Sequence, residues 1–186
     1  MRIAIAHLKS ISPYSQSRAH EGEKLPRETP DALEKRTWRD KTHVTKDGNI
    51  FIPPMSFKMS LDRAAQMWGR QIPGKGKSTY TKFFSSGVMC IDPLVLPDKK
   101  ESVRGERVHC HANGKRGSGG RVWRIFPVID QWQGAVTFHV IADEITKDVF
   151  SDHLQQASAF VGIGRFRPEN GGYFGRFKVE KIEWQN

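Results

Sequence analysis

The 186-residue chain is 37% hydrophobic and 10% aromatic, enough for a core but lean for an enzyme. It carries 30 Lys and Arg against 20 Asp and Glu, a formal charge of +10. Such a balance favours a polyanionic partner over the bland reading of a merely solubilising basic surface. The length suits one domain over 1–186, or one domain with a large insertion. Cys90 and Cys110 are too few for a disulfide framework and read as free thiols of a reducing compartment. Residues 1–8 are too short for a signal peptide's apolar region, and no run approaches the ~20 apolar residues of a membrane span. The expectation is a soluble cytoplasmic protein without membrane contact.

In chain order, Arg2 to Lys9 alternates Ile3 and Ile5 with Ala4, Ala6 and Leu8, a pattern predicting a buried first strand. Residues 10–43 are polar and broken by Pro13, Pro26 and Pro30, and read as an inserted arm with a short helix over Pro30 to Arg39 anchored by Trp38. Val44 to Ile52 predicts a hairpin turning at Asp47-Gly48. Ser56 is the expected N-cap of a helix through Gly69, with Phe57, Leu61, Ala64, Ala65 and Trp68 on one face. Arg70 to Lys82 reads as a loop and Gly87 to Leu96 as a strand. Residues 99–121 read as a basic loop or hairpin. Val122 to Ile129 and Ala135 to Ala142 are predicted strands, and Thr146 caps a second helix that turns Phe150, Leu154, Ala157 and Val161 inward. A glycine-rich loop, Gly162 to Gly175, leads into a last strand over Tyr173 to Trp184. The order strand, helix, strands, helix, strand is the ferredoxin-like α+β plan, an antiparallel sheet with two helices on one face.

Three cationic segments are candidates for contact with a polynucleotide. Arg70, Lys75, Lys77 and Lys82 surround Gly74 and Gly76, with Tyr80 and Phe83 positioned to stack on bases. This segment is not a phosphate-binding P-loop: Gly76 stands where a magnesium-binding Ser or Thr is required, and the loop follows a helix instead of a strand. In the second segment Lys99, Lys100, Arg104, Arg107, Lys115, Arg116, Arg121 and Arg124 face only Glu101 and Glu106 as compensation. Its His109-Cys110-His111 alternation falls short of the four ligands of a structural zinc. The third segment, Val161 to Phe177, packs five glycines, three arginines and four aromatics together. Arg165, Arg167 and Arg176 can pair bidentately with phosphates, Phe166 and Tyr173 can stack, and the glycines allow backbone to press against a ligand. The remaining histidines sit in no catalytic spacing. The reading is therefore a non-catalytic binding protein with no cofactor and no metal.

At the glycine-rich loop the sequence resembles the RAMP superfamily, the ferredoxin-like RNA-binding proteins of CRISPR effector complexes, in which such a loop lies between the last helix and the last strand. The likeness is closer to the backbone subunits that line up along a guide RNA. It runs through Asp47-Gly48-Asn-Ile-Phe-Ile-Pro53 with its following helix, Arg124 to Val128, and Ile145-Thr146, roughly residues 44–70 and 121–182. The resemblance implies binding of one RNA or DNA strand through its phosphates without sequence preference. The expected partners are copies of the chain or other CRISPR effector subunits, with residues 10–43 as a subunit-to-subunit arm. It also leaves open a phage- or plasmid-borne relative that mimics a backbone subunit and blocks assembly, and a metal-independent endoribonuclease with His20 as general acid or base.

Overall fold

Alternation along the first strand, β1 (Arg2–Ser10), sets the architecture. Ala4, Ala6 and Leu8 are buried while Ile3, Ile5 and His7 are only partly covered, so one face meets helices and the other looks outward. The computed structural model describes residues 1–20, 22–112, 117 and 119–185. β1 pairs antiparallel with β8 (Gln133–Val140) on one side and β9 (Phe177–Gln185) on the other, and β4 (Val88–Cys90) lies beyond β8. The order β4-β8-β1-β9, with α2 (Pro54–Trp68) between β1 and β4 in the chain and α4 (Lys147–Gln156) between β8 and β9, is ferredoxin-like. Phe57 and Leu61 of α2 and Phe150 and Leu154 of α4 bury against Ala6, Phe138 and Val140 of the sheet. Each such side chain contributes roughly 1.5–3 kcal/mol by leaving water.

Local signals hold in part. Thr146 caps α4 by accepting from the Val149 amide, and Phe150, Leu154, Ala157 and Val161 are all buried, although the last two lie in a π-helical turn, Ala157–Val161. Thr45 and Gly48 make the expected turn before β3 (Asn49–Ile52), which then pairs with β5 (Leu94–Lys99). The α2 cap moves from Ser56 to Pro53: Pro54 begins the helix, where its missing amide and fixed φ cost nothing. Gly69 closes α2 in the left-handed region, as expected, but Trp68 at its end stays 41% exposed.

Two expectations change. Thr81–Gly87 forms a helix, α3, that the loop reading missed, and the strand expected over 87–96 is two strands in different sheets. Pro93, with no amide to donate, sits in the break between β4 and β5. The final strand starts at Phe177 instead of Tyr173 because the glycine-rich loop folds on itself first.

A second sheet positions the candidate site. β6 (Arg104–His111) and β7 (Arg121–Ile129) form the hairpin expected over 99–121, and β2 (Tyr14–Ser15), from the presumed arm, adds to the other edge of β7. Further along that edge, α1 (Pro30–Thr37) and the 3-10 turn after it replace a strand. Glu34 accepts from the Ile125 amide (2.6 Å) and Lys41 donates to the Ile125 carbonyl (2.9 Å), while Glu34 and Lys41 pair with each other in a buried ion pair. Segment 10–43 is thus folded onto the body, with Trp38 buried near Gly105.

Candidate nucleic-acid interface

Side chains from four distant segments enclose a cleft of about 2140 Å³. Its walls are the start of the arm at Ser17 and His20, α1 at Glu34 and Thr37, the β6–β7 ribbon, and the glycine-rich loop at Gly164 to Phe166. Alternation on β7 turns Arg124 and Phe126 into it, and Lys41 lies beside them.

The charge at its centre is unbalanced. Glu34 is the acid among Lys41, Arg124 (3.1 Å) and the neighbouring Arg165. Burial pushes the Glu34 carboxyl up, but the hydrogen bonds from Lys41, the Ile125 amide and Arg124 outweigh it and hold the group below the usual carboxylate range. Lys41 is pulled below its ordinary value by burial first, with Arg124 and Arg165 adding repulsion that Glu34 only partly offsets. The repulsion that Arg124 and Arg165 add at Lys41 marks a local surplus of positive charge.

Arg165 is the group that this surplus leaves unanswered. Its guanidinium stacks on Phe126, 3.6 Å from the ring centroid, its Nε is buried without a hydrogen-bond partner, and burial lowers its pKa. Among the described residues it has no acidic partner. Phe166, next in the chain, is held at φ 52°, an unusual conformation for a bulky residue. The Phe174 amide fixes it by donating to its carbonyl (3.1 Å), and Phe126 and Phe174 meet its ring edge-on at 6.0 and 6.1 Å. Backbone strain of this kind gathers where a surrounding structure holds side chains in a working position.

The glycines serve this loop differently from the expectation that they admit a ligand. A Cβ on Gly172 would lie 1.8 Å from the Phe166 carbonyl oxygen, and one on Gly175, at φ +75°, would lie 1.9 Å from that of Ile163. The close approach at these two positions is to the loop's own backbone. The glycines fold the platform that carries Arg165, and the arginine faces the cleft.

The structure separates the other candidate residues. Arg121 and Phe166 line the cleft with Arg165, and Arg107 sits on the ribbon beside it, paired with Asp31 at 3.3 Å. Arg167 pairs with Glu169 (3.0 Å), which also binds Arg63. Arg176 reaches back to the Ala159 carbonyl (3.3 Å), and Tyr173 is 60% exposed with its ring against Phe174. Lys115 and Arg116 lie outside the described residues. Arg70, Lys75, Lys77 and Lys82 follow the far end of α2: Pro53, before its start, adjoins Gly162 and Gly164, whereas Trp68, at its end, adjoins His153. Fifteen helical residues span about 22 Å. Arg70 is paired with Asp152 (2.7 Å) and Lys75 with Glu144 (2.8 Å). The stacking expected of Tyr80 is overturned, because its ring is 95% buried by packing on His153.

Lys41, Glu34 and Phe126 were missed as site residues, while Arg124 belongs to the second cationic segment. Phe126 could have been read from the alternation of β7, but Glu34 and Lys41 matter only because α1 docks on the edge of β7, which no local pattern announces. Among the described residues no three His, Cys, Asp or Glu side chains group to hold a metal ion, and no helix is long and apolar enough to cross a membrane.

Fold and site together define a ferredoxin-like chain with a cationic cleft beside its glycine-rich loop. A chain in the cryo-EM structure of the type III-B Cmr-beta bound to cognate target RNA is similar over 100% of this chain, with a TM-score of 0.51 and 16% identity. This chain covers 61% of that neighbour's length, and at such identity the likeness establishes the fold. No family model matches the sequence, and no curated protein does.

Proposed function

We propose that this protein is a non-catalytic binder of single-stranded nucleic acid, RNA foremost, that holds the phosphate backbone in the cleft and serves as a subunit of a CRISPR-type effector assembly or as a mimic of one. The observation that carries the reading is Arg165, a half-buried guanidinium facing the cleft with no acidic partner among the described residues and Lys41 and Arg124 nearby. A phosphate placed there would give it a bidentate partner and relieve the surplus of charge. The similarity to a chain of an RNA-bound Cmr-beta structure supports RNA as the strand and a multi-subunit setting. Phosphate contacts position a strand without reading its sequence, so sequence preference is expected to be slight.

Fluorescence anisotropy with labelled single-stranded RNA, single-stranded DNA and duplex across a salt series tests the reading. Affinity should fall steeply as salt rises, because each neutralised phosphate releases counterions. A flat salt response, or tighter binding to duplex, would overturn it. RNA recovered with the purified protein would support the assembly role through its length and sugar.

One observation favours a second reading, metal-independent RNA cleavage: His20 of the arm lines the cleft that holds the phosphate-binding cations. Imidazoles beside phosphate-binding cations have the chemistry for general acid and base work. Incubation of RNA with the protein in chelator decides it. Cleavage lost in His20→Ala supports the second reading, and intact RNA leaves binding alone.

A further inference from the structure

The β6–β7 ribbon carries a second feature, on the strand face opposite Arg124 and Phe126. The register pairs His109 with Trp123 and His111 with Arg121, so Arg107, His109, His111, Arg121 and Trp123 project together. Trp123 is 47% exposed and belongs to neither core cluster. Its ring is nonetheless ordered. The Arg107 guanidinium carbon stands 4.5 Å from the ring centroid, and the His109 ring stacks at 4.9 Å with an interplanar angle of 32°. This large apolar ring, braced by a cation and an imidazole, sits on an exposed ribbon outside the core. Its surroundings select the occupant: Arg121 has no acidic partner among the described residues, and the Arg107–Asp31 pair is exposed. A nucleobase joined to a phosphate offers both things this face lacks, a flat π surface and negative charge.

We propose that the Trp123–His109 stack is a platform for an unpaired nucleobase of the strand whose phosphates occupy the adjoining cleft. The platform rests on the single-strand reading and adds a base contact to it. Arg121, which lines the cleft and shares the platform's face, links the two. Base stacking on an aromatic ring tolerates any base, so the platform would add affinity and leave sequence preference low.

The test compares the full chain with Trp123→Ala and Trp123→Phe, using a labelled single-stranded RNA and an abasic oligomer of equal length and charge. Trp123→Ala should weaken RNA binding about 5- to 100-fold, while Trp123→Phe keeps most of the affinity. The abasic oligomer should bind the wild type and Trp123→Ala equally, and the salt slope should not change. Equal RNA binding by Trp123→Ala, or a parallel loss for RNA and abasic oligomer, would overturn the platform while leaving the cleft intact. No binding of either oligomer to the wild-type chain would overturn the single-strand reading and the platform with it. Thermal melting of Trp123→Ala should match the wild type, since the ring lies outside the core.

Discussion

In the segment from Arg70 to Lys82 the inner cations are answered: Arg70 by Asp152, which lies on α4, and Lys75 by Glu144. In the cleft Arg165 has the faces of Phe126 and Phe166 and the nearby Cys110 but no carboxylate among the described residues, and Glu34 serves two paired cations. Both segments combine glycine with Lys or Arg, and a composition count ranks them alike. The fold distinguishes them by what surrounds each cation. Arg70 and Lys75 are matched within the molecule, whereas Arg165 in the cleft has no carboxylate partner among the described residues.

The most disruptive way to break the comparison is Glu34→Ala. It removes the one acid that, among the described residues, pairs with Lys41 and Arg124, and it strands the Ile125 amide, so it should cost about 3–5 kcal/mol of stability in chemical denaturation. Arg165→Gln tests the other side of the contrast. It should leave the melting temperature near wild type but weaken single-stranded RNA binding by about 1.5–3 kcal/mol, the range for a charge-assisted hydrogen bond. It should also lower the salt slope by about one phosphate. Lys77→Ala, at the far end, should shift affinity by less than ~0.5 kcal/mol, the scale of an exposed surface change. Equal losses from Arg165→Gln and Lys77→Ala would erase the distinction between the two ends.

A pH dependence sharpens the contrast further. His153 is fully buried beneath the Arg70 segment, ringed by Trp68, Tyr80 and Phe84, and burial lowers its pKa; Arg70 adds to the lowering, and the Val149 carbonyl and Asp152 oppose it. The unfolded imidazole takes up a proton near pH 6.5, while the folded one does so only at lower pH. The stability it contributes is therefore complete above that value and is lost as pH falls below it, by at most about 1.4 kcal/mol per pH unit. Denaturation of the wild type between pH 7.5 and 5.5 should show this slope, and His153→Gln should flatten it.

Much of the fold was legible because its elements carry their own periodicity. β1 alternates, α2 and α4 repeat at helical spacing, and Thr146 announces α4. What stayed hidden were decisions made by partners. β3 takes β5 and β8 takes β4, so one apparent strand over 87–96 divides between two sheets. In the site, Arg165 and Phe166 stood out among their glycines. Trp123 drew no notice, since an exposed tryptophan on a ribbon looks in sequence like any core residue of a strand.

The buried pair of Glu34 and Lys41 has a consequence for how this protein stays apart from its neighbours. By occupying the amide and carbonyl of Ile125, two side chains blunt a strand margin that would otherwise be a template for pairing with another chain. Residues 10–43 therefore act as a selvedge, and a version of the protein trimmed of them should associate edge to edge before it loses its remaining structure.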